Sequence, residues 1–367
     1  PQTPNPKPQT PVSITTYPFN MPNLIMSEKL GTASNANKKI NSNTSVPTIK
    51  NVWRYILEKE FSKISQILDE GFTYVAMDTE FPGVIYTANV EAKSPQLAYS
   101  ILKSNVDDLN LIQVGLSFSN DKGVKPEGIN TWQFNLKFNV NSEKSHPESI
   151  ALLKDAGIVF SDLEEHGCDP MEFGNFLMTS GLVINSDITW IAFHGSYDFS
   201  YLMKVLLNSA LPPTYEGMLT YIHHIFPSLV DLKVVINDIE EWKNYSLAKL
   251  SAEVGARRFG VQHQAGSDAL VTLESYFKLR NQFLNSDYMH RQVNKIYGIS
   301  VDIVQNTFSN QQMETMLPNF YHYQQFYHGQ NYYGDLNQVN AFGYQQSHIS
   351  MPTPNTSNDG FKYQIPG

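Results

Sequence analysis

The sequence predicts an α/β domain built around a mixed central sheet, and three observations carry that expectation. Short apolar or alternating runs read as strands at residues 72–77, 111–119, 131–139 and 188–193. Apolar residues recurring every three or four positions mark helices, most of which come after the strands. Two polar low-complexity stretches flank this pattern and carry almost none of it, so a single folded domain is expected over residues 49–300.

Trp53, Leu57, Phe61, Ile64 and Leu68 recur at spacings of four, four, three and four, which places them on one helix face. Gly71 follows as the expected stop. Phe72–Met77 is short, apolar and partly β-branched, as a buried strand requires. In residues 111–119, Ile112, Val114, Leu116 and Phe118 share one face of a second strand. The clearest strand is 131–139, where Trp132, Phe134, Leu136 and Phe138 alternate with Gln133, Asn135, Lys137 and Asn139. Ile188–Phe193 reads as another buried strand that feeds a helix through Tyr201–Leu207. Ser246 caps a helix stopping near Gly255. Residues 268–284 form a last long helix with Leu270, Leu273, Phe277 and Leu284 inward.

Residues 1–48 hold eight of the 20 prolines with many Asn, Thr and Ser, too little apolar surface to offset chain entropy, so disorder is expected there. Residues 301–367 hold seven Tyr, ten Gln and eight Asn but only five charged residues, and Asn319–Tyr333 alternates polar and aromatic side chains. That composition suits either a floppy tail or one that drives condensation or partner binding. The chain carries a net charge of −9, which argues against a protein that coats nucleic acid. Residues 49–285 alone carry −10, so the excess acid lies in the expected domain. Cys168 is the single cysteine, which excludes an intramolecular disulfide framework and a cysteine-rich zinc site and favours a reducing compartment. No apolar run is long enough to span a bilayer, and the first residues lack a signal peptide's apolar segment. A soluble intracellular protein without a membrane partner is expected.

Four acids and a histidine stand out by position. Asp78 and Glu80 follow the strand 74–77, and their i, i+2 spacing on an extended chain points both carboxylates to one face. Asp198 sits at a second strand end, and Asp268 opens the last helix five residues after His263. Taken singly, each has an ordinary reading: a solvated loop acid, a helix-start carboxylate, a loop histidine. Jointly, oxygen donors from separate elements are what Mg²⁺ or Mn²⁺ requires, and neither sulfur nor a histidine pair points to zinc. Several close carboxylates repel one another unless cations neutralise them. Two such cations can stabilise the attacking and leaving oxygens of phosphodiester cleavage, and a histidine suits activation of the attacking water.

The segments Tyr74–Gly83, Thr131–Asn135, Leu177–Gly181, Tyr197–Phe199 and His263–Asp268 resemble the DEDD superfamily of 3′→5′ exonucleases, in its histidine-containing subgroup. More narrowly, the chain resembles the Caf/Pop-type deadenylases, exonuclease subunits of the Ccr–Not complex, over about 252 residues (49–300). The resemblance implies a ribonuclease H-like fold, two divalent metal ions (Mg²⁺ or Mn²⁺), and stepwise release of AMP from the 3′ end of poly(A). It implies Asp78, Glu80, Asp198 and Asp268 as metal ligands and His263 as the base. Phe81 matches a region flanking the substrate end and is a stacking candidate, with a buried aromatic as the other reading. Lys233, in Asp231-Leu232-Lys233, is a phosphate candidate or half of a structural ion pair. Arg257-Arg258 reads as a solvated pair or an RNA contact. The chain departs from the family's His-Ser-Gly order at His194-Gly195-Ser196. Implied partners are a Not-type scaffold, a second deadenylase subunit and the poly(A) 3′ end, in cytoplasm and nucleus. The alternative function is a non-catalytic adaptor between the deadenylase scaffold and RNA-bound factors.

Overall fold

A computed structural model describes residues 47–87 and 94–299. The expectations for the two polar tails lie outside the described residues, apart from residues 47–48. Strand β1 is Ile49–Val52, and helix α1 is Leu57–Asp69 after a 3-10 turn at Arg54–Ile56. There follow β2 Tyr74–Glu80, α2 Pro95–Asp108, β3 Gln113–Ser119 and β4 Thr131–Asn135. Helices α3 Pro147–Asp155, α4 Phe160–His166 and α5 Pro170–Thr179 lead to β5, Thr189–Ala192. Next are α6 Ser196–Leu207, α7 Tyr215–Ile225, β6 Leu229–Asp231 and α8 Leu232–Asn237. The described chain ends with α9 Leu247–Glu253, α10 Ala265–Lys278 and α11 Ser286–Arg291.

The six strands form one sheet in the order β1-β4-β3-β2-β5-β6. The pairs β2–β3 and β3–β4 are antiparallel and the other three are parallel, so the sheet is mixed, as expected. The edge strands β1 and β6 carry no signal in the sequence. Four and three residues long, they are too short to show a period, and their neighbours align them.

Local chemistry explains the element ends. The Gly71 N–H donates to the Leu68 carbonyl at 2.9 Å and the Phe72 N–H to that of Ile67 at 3.0 Å. This is a Schellman closure, and it needs the left-handed φ of +91° that Gly71 adopts. Trp53 stands before α1 rather than in it. Strand β2 runs to Glu80, three residues beyond its expected end at Met77, because residues 78–80 find partners in β3. Asp78 and Glu80 therefore lie within the strand, not after it. Conversely β4 stops at Asn135, and Leu136 makes only an isolated bridge to Cys168. Helix α10 starts at Ala265, three residues early, and ends at Lys278; one π turn follows and Leu284 is extended.

Ala76, Ile191 and Val230, from three adjacent strands, pack against Leu250 of α9 and Val271 and Leu273 of α10. Residues 78 and 80 share the face of Ala76, so α10 lies over the carboxylates as well. Its first turn presses on β3: a Cβ at Gly115 would sit 2.0 Å from the Ala265 carbonyl oxygen. No helix among the described residues is long and apolar enough to cross a membrane.

Candidate active site

Asp78 and Glu80 come from β2, Asp198 from the first turn of α6, Asp268 from the first turn of α10, and His263 from the loop before it. The structure brings all five together. Candidate ligand atoms of Glu80, His263 and Asp268 lie within 4.8 Å of one another. Asp78 feels the charges of Asp198, Asp268 and Glu80, in that order.

Asp198 is anchored where β5 gives out. Strand β5 pairs with β2 only through Ala76. Beyond that, the Thr79 N–H donates to Asp198 Oδ1 at 2.9 Å, and the Thr79 hydroxyl donates to the same oxygen at 2.6 Å. Asp268 is held at both oxygens. Its Oδ2 accepts the His263 N–H at 2.8 Å, and its Oδ1 pairs with Arg258 Nη1 at 2.6 Å. That bond to Asp268 helps keep His263 in the left-handed region, at φ +63°, a conformation costing a non-glycine residue about 1 kcal/mol or more. Arg258 also donates to Ser267 Oγ at 3.2 Å.

Asp78 and Glu80 have no side-chain hydrogen-bond donor among the described residues. Burial, then the three neighbouring carboxylates, push the Asp78 carboxyl well above its ordinary range, with Arg258 opposing. Burial and the charges of Asp268 and Asp198 push Glu80 up to about 8. Burial pushes Asp198 up to about 7, against the two Thr79 bonds. A cluster so short of positive charge binds protons or cations at neutral pH. The hard carboxylate oxygens of Asp78 and Glu80, which have no donor among the described residues, stand beside two further carboxylates and one imidazole, a donor set that fits Mg²⁺ or Mn²⁺.

Asp231, wholly buried, shapes the turn into α6. Its Oδ1 accepts the N–H groups of His194 at 2.7 Å and Lys233 at 2.9 Å. Its Oδ2 accepts those of Gly195 at 2.9 Å and Tyr297 at 3.0 Å. Gly195 at this turn is tightly enclosed, since a Cβ there would meet that of Ala192 at 2.8 Å.

The remaining expectations fare unequally. Among the described residues Lys233 makes no ion pair, and its ammonium is already engaged. Its Nζ donates to the carbonyls of Lys243 at 2.8 Å and Tyr245 at 2.9 Å, because the turn after α8 offers unpaired acceptors there. Phe81 is half-buried, stacks on Tyr197 with centroids 5.2 Å apart and meets Tyr201 in a tilted contact at 5.0 Å. Arg258 is not solvated: it is 22% exposed and bound to Asp268. Thr79, Arg258 and Asp231 thus hold the site without being legible as doing so. A small hydroxyl residue between two strand acids was the one available signal.

Known proteins resemble this chain in sequence and fold. Residues 52–170 match the family described as CAF1 family ribonuclease. Over 257 residues the chain is 37% identical to the poly(A) ribonuclease pop2 of Schizosaccharomyces pombe, covering 70% of this chain and 76% of that one. A probable CCR4-associated factor 1 homolog 10 of Arabidopsis thaliana is 39% identical over 260 residues, covering 69% of this chain and 93% of that one. Among solved structures, the Mg²⁺- and Mn²⁺-bound form of S. pombe Pop2p superimposes with a TM-score of 0.65 at 37% identity, covering 68% of this chain and 99% of that one. A yeast CAF1 co-crystallised with the NOT1 MIF4G domain gives 0.59 at 33% identity, covering 68% and 96%.

Proposed function

The chain belongs to the CAF1 family ribonucleases, and on that premise we propose that it is a 3′→5′ exoribonuclease that shortens poly(A) and releases AMP. The observation that carries this reading is the convergence of four carboxylates, Asp78 and Glu80 from β2, Asp198 from α6 and Asp268 from α10, on one spot, with His263 beside Glu80 and Asp268. Asp78, Glu80, Asp198 and Asp268 are the residues that would hold two divalent cations, Mg²⁺ or Mn²⁺. Bound there, such cations supply charge neutralisation to the attacking and leaving oxygens of a phosphodiester. A ring nitrogen of His263 takes a proton from the attacking water. The water oxygen bonds to phosphorus, the P–O3′ bond breaks with its electron pair going to O3′, which takes a proton from solvent, and the shortened RNA ends in a 3′-hydroxyl while AMP departs. Thr79 holds Asp198, and Arg258 holds Asp268, throughout.

The S. pombe relative is named a poly(A) ribonuclease and its structure contains Mg²⁺ and Mn²⁺, which supports substrate and cofactor alike. The yeast complex with the NOT1 MIF4G domain supports docking on a Not-type scaffold; the proposed assembly also includes a second deadenylase subunit. Residues 49–300 would form the catalytic domain, in a protein of cytoplasm and nucleus. A purely scaffolding role gives no reason for four mutually repelling carboxylates. The test uses 5′-labelled oligo(A) with Mn²⁺: stepwise shortening, arrested by EDTA and lost in Asp78→Ala, is expected. Equal behaviour of wild type and Asp78→Ala refutes the nuclease reading.

A further inference from the structure

The sheet face that carries the carboxylates also carries amides. Gln113 stands opposite Glu80, and Asn135 opposite Gln113. Gly115 stands opposite Asp78, Gln133 opposite Gly115, and Asn51 opposite Gln133. Cross-strand partners share a face, so acids and amides form one polar band from β2 to β1. Gln113, Gln133 and Asn135 are at most 5% exposed. Buried amides are costly without partners, and their partners identify what the band does.

Gln133 Oε1 accepts the Gly266 N–H at 2.9 Å, and Gln113 Oε1 accepts the Ala265 N–H at 3.3 Å. These N–H groups open α10, where no intrahelical acceptor exists, and the helix has no side-chain cap of its own. Gln264, at the boundary, accepts through Oε1 from Gln133 Nε2 at 2.8 Å and Gln113 Nε2 at 3.2 Å. Its own Nε2 donates to the Ala156 carbonyl at 3.0 Å. The two glutamines are themselves braced: Gln113 Nε2 donates to Asn135 and Gln133 Nε2 to Asn51, each at 2.8 Å. Gly115 and Gly266 permit the close seat, since a Cβ at 266 would sit 3.0 Å from Gln133 Oε1.

We propose that Gln113 and Gln133 are positioning residues of the active site. Their carbonyl oxygens take the place of a helix N-cap and set the height and rotation of the first turn of α10. That turn carries Asp268, and Asp268 in turn holds the His263 backbone. A cap supplied by the sheet ties the Asp268 carboxylate to the strands bearing Asp78 and Glu80, which a cap within the loop would not do. The catalytic consequence rests on the nuclease reading; the positional one does not.

The test uses the full chain with Gln133→Met and Gln113→Met, which keep side-chain length and remove the acceptor. The control is Ile222→Ala, a buried position in α7, which packs on α2. Hydrogen exchange of residues 265–268, Mn²⁺ affinity by calorimetry, and kcat and KM on oligo(A) are measured. Gln133→Met should exchange faster and lose about tenfold or more in both Mn²⁺ affinity and kcat, with KM nearly unchanged. Gln113→Met, whose bond is longer, should show the same pattern at smaller size. Ile222→Ala should lower Tm and leave the other readouts alone. The proposal is overturned if both methionine variants keep Mn²⁺ affinity and kcat within about twofold, or if Ile222→Ala reproduces their losses. Should Gln133→Met fail to fold, Gln113→Met decides. A wild type that binds Mn²⁺ but leaves RNA intact would sink the nuclease reading, while exchange and calorimetry still judge this one.

Discussion

Stripping divalent cations from this protein should make its stability fall as pH rises, and Mn²⁺ should cancel most of that fall. Asp198 is 8% exposed, and burial pushes its carboxyl from an ordinary 3.8 up to about 7. Glu80 is pushed up to about 8. The folded state thus holds these protons more tightly than the unfolded chain does. The resulting stability is fully present below the ordinary carboxylate range and is lost as pH rises through 7 and then 8. For Asp198 alone the difference amounts to about 4 kcal/mol. In a domain of this size, that corresponds to roughly 8–16 °C in Tm over the whole interval between 3.8 and 7, of which about half falls above pH 5.5. The assay is a series of thermal melts of EDTA-treated protein between about pH 5.5 and 8.5, with and without millimolar Mn²⁺. Mn²⁺ should raise Tm strongly at the alkaline end and little at the acid end, where protons compete for the same oxygens. Asp198→Asn should reduce the slope of the EDTA series and leave the part that Glu80 contributes. A melting temperature that stays within about 2 °C across the range, or rises with pH, would contradict proton uptake by these buried carboxylates.

Arg258→Met should destabilise the EDTA-treated protein at pH 8 by about 3 kcal/mol, since it leaves the Asp268 carboxylate unpaired among three others. Melts with Mn²⁺ should show a smaller loss, and Arg258→Lys an intermediate one; equal losses in both conditions would contradict this. Asp231→Asn should lower Tm by roughly 5–10 °C, because an amide nitrogen would then face backbone N–H groups that now find a carboxylate. Oligo(A) cleavage should fall in step as the turn into α6 loosens, and unchanged melting would refute the clamp.

Much of the site was legible because its chemistry is carried by residue type. Asp78 and Glu80 share a face by the two-residue period of an extended chain, and that held although the strand ran further than expected. His263 and Asp268 sit five positions apart, and one hydrogen bond between them closes the distance. Less legible were residues whose role depends on what folds beside them. Arg258 reads as solvated until α10 brings Asp268 to it, and Lys233 reads as a phosphate or ion-pair partner until two carbonyls accept hydrogen bonds from its ammonium.

The alternation of Gln133 and Asn135 with Trp132 and Phe134 shows the same division. The alternation alone makes these residues a strand with two unlike faces, because period two is a property of the chain. Only the tertiary structure decided that the polar face is buried and where its hydrogen bonds go. The reason is physical: whether an amide meets water or a helix N-terminus depends on which surface is packed over it. Here that surface is the first turn of α10, seated on Gly115 and carrying Asp268 to the acids of β2.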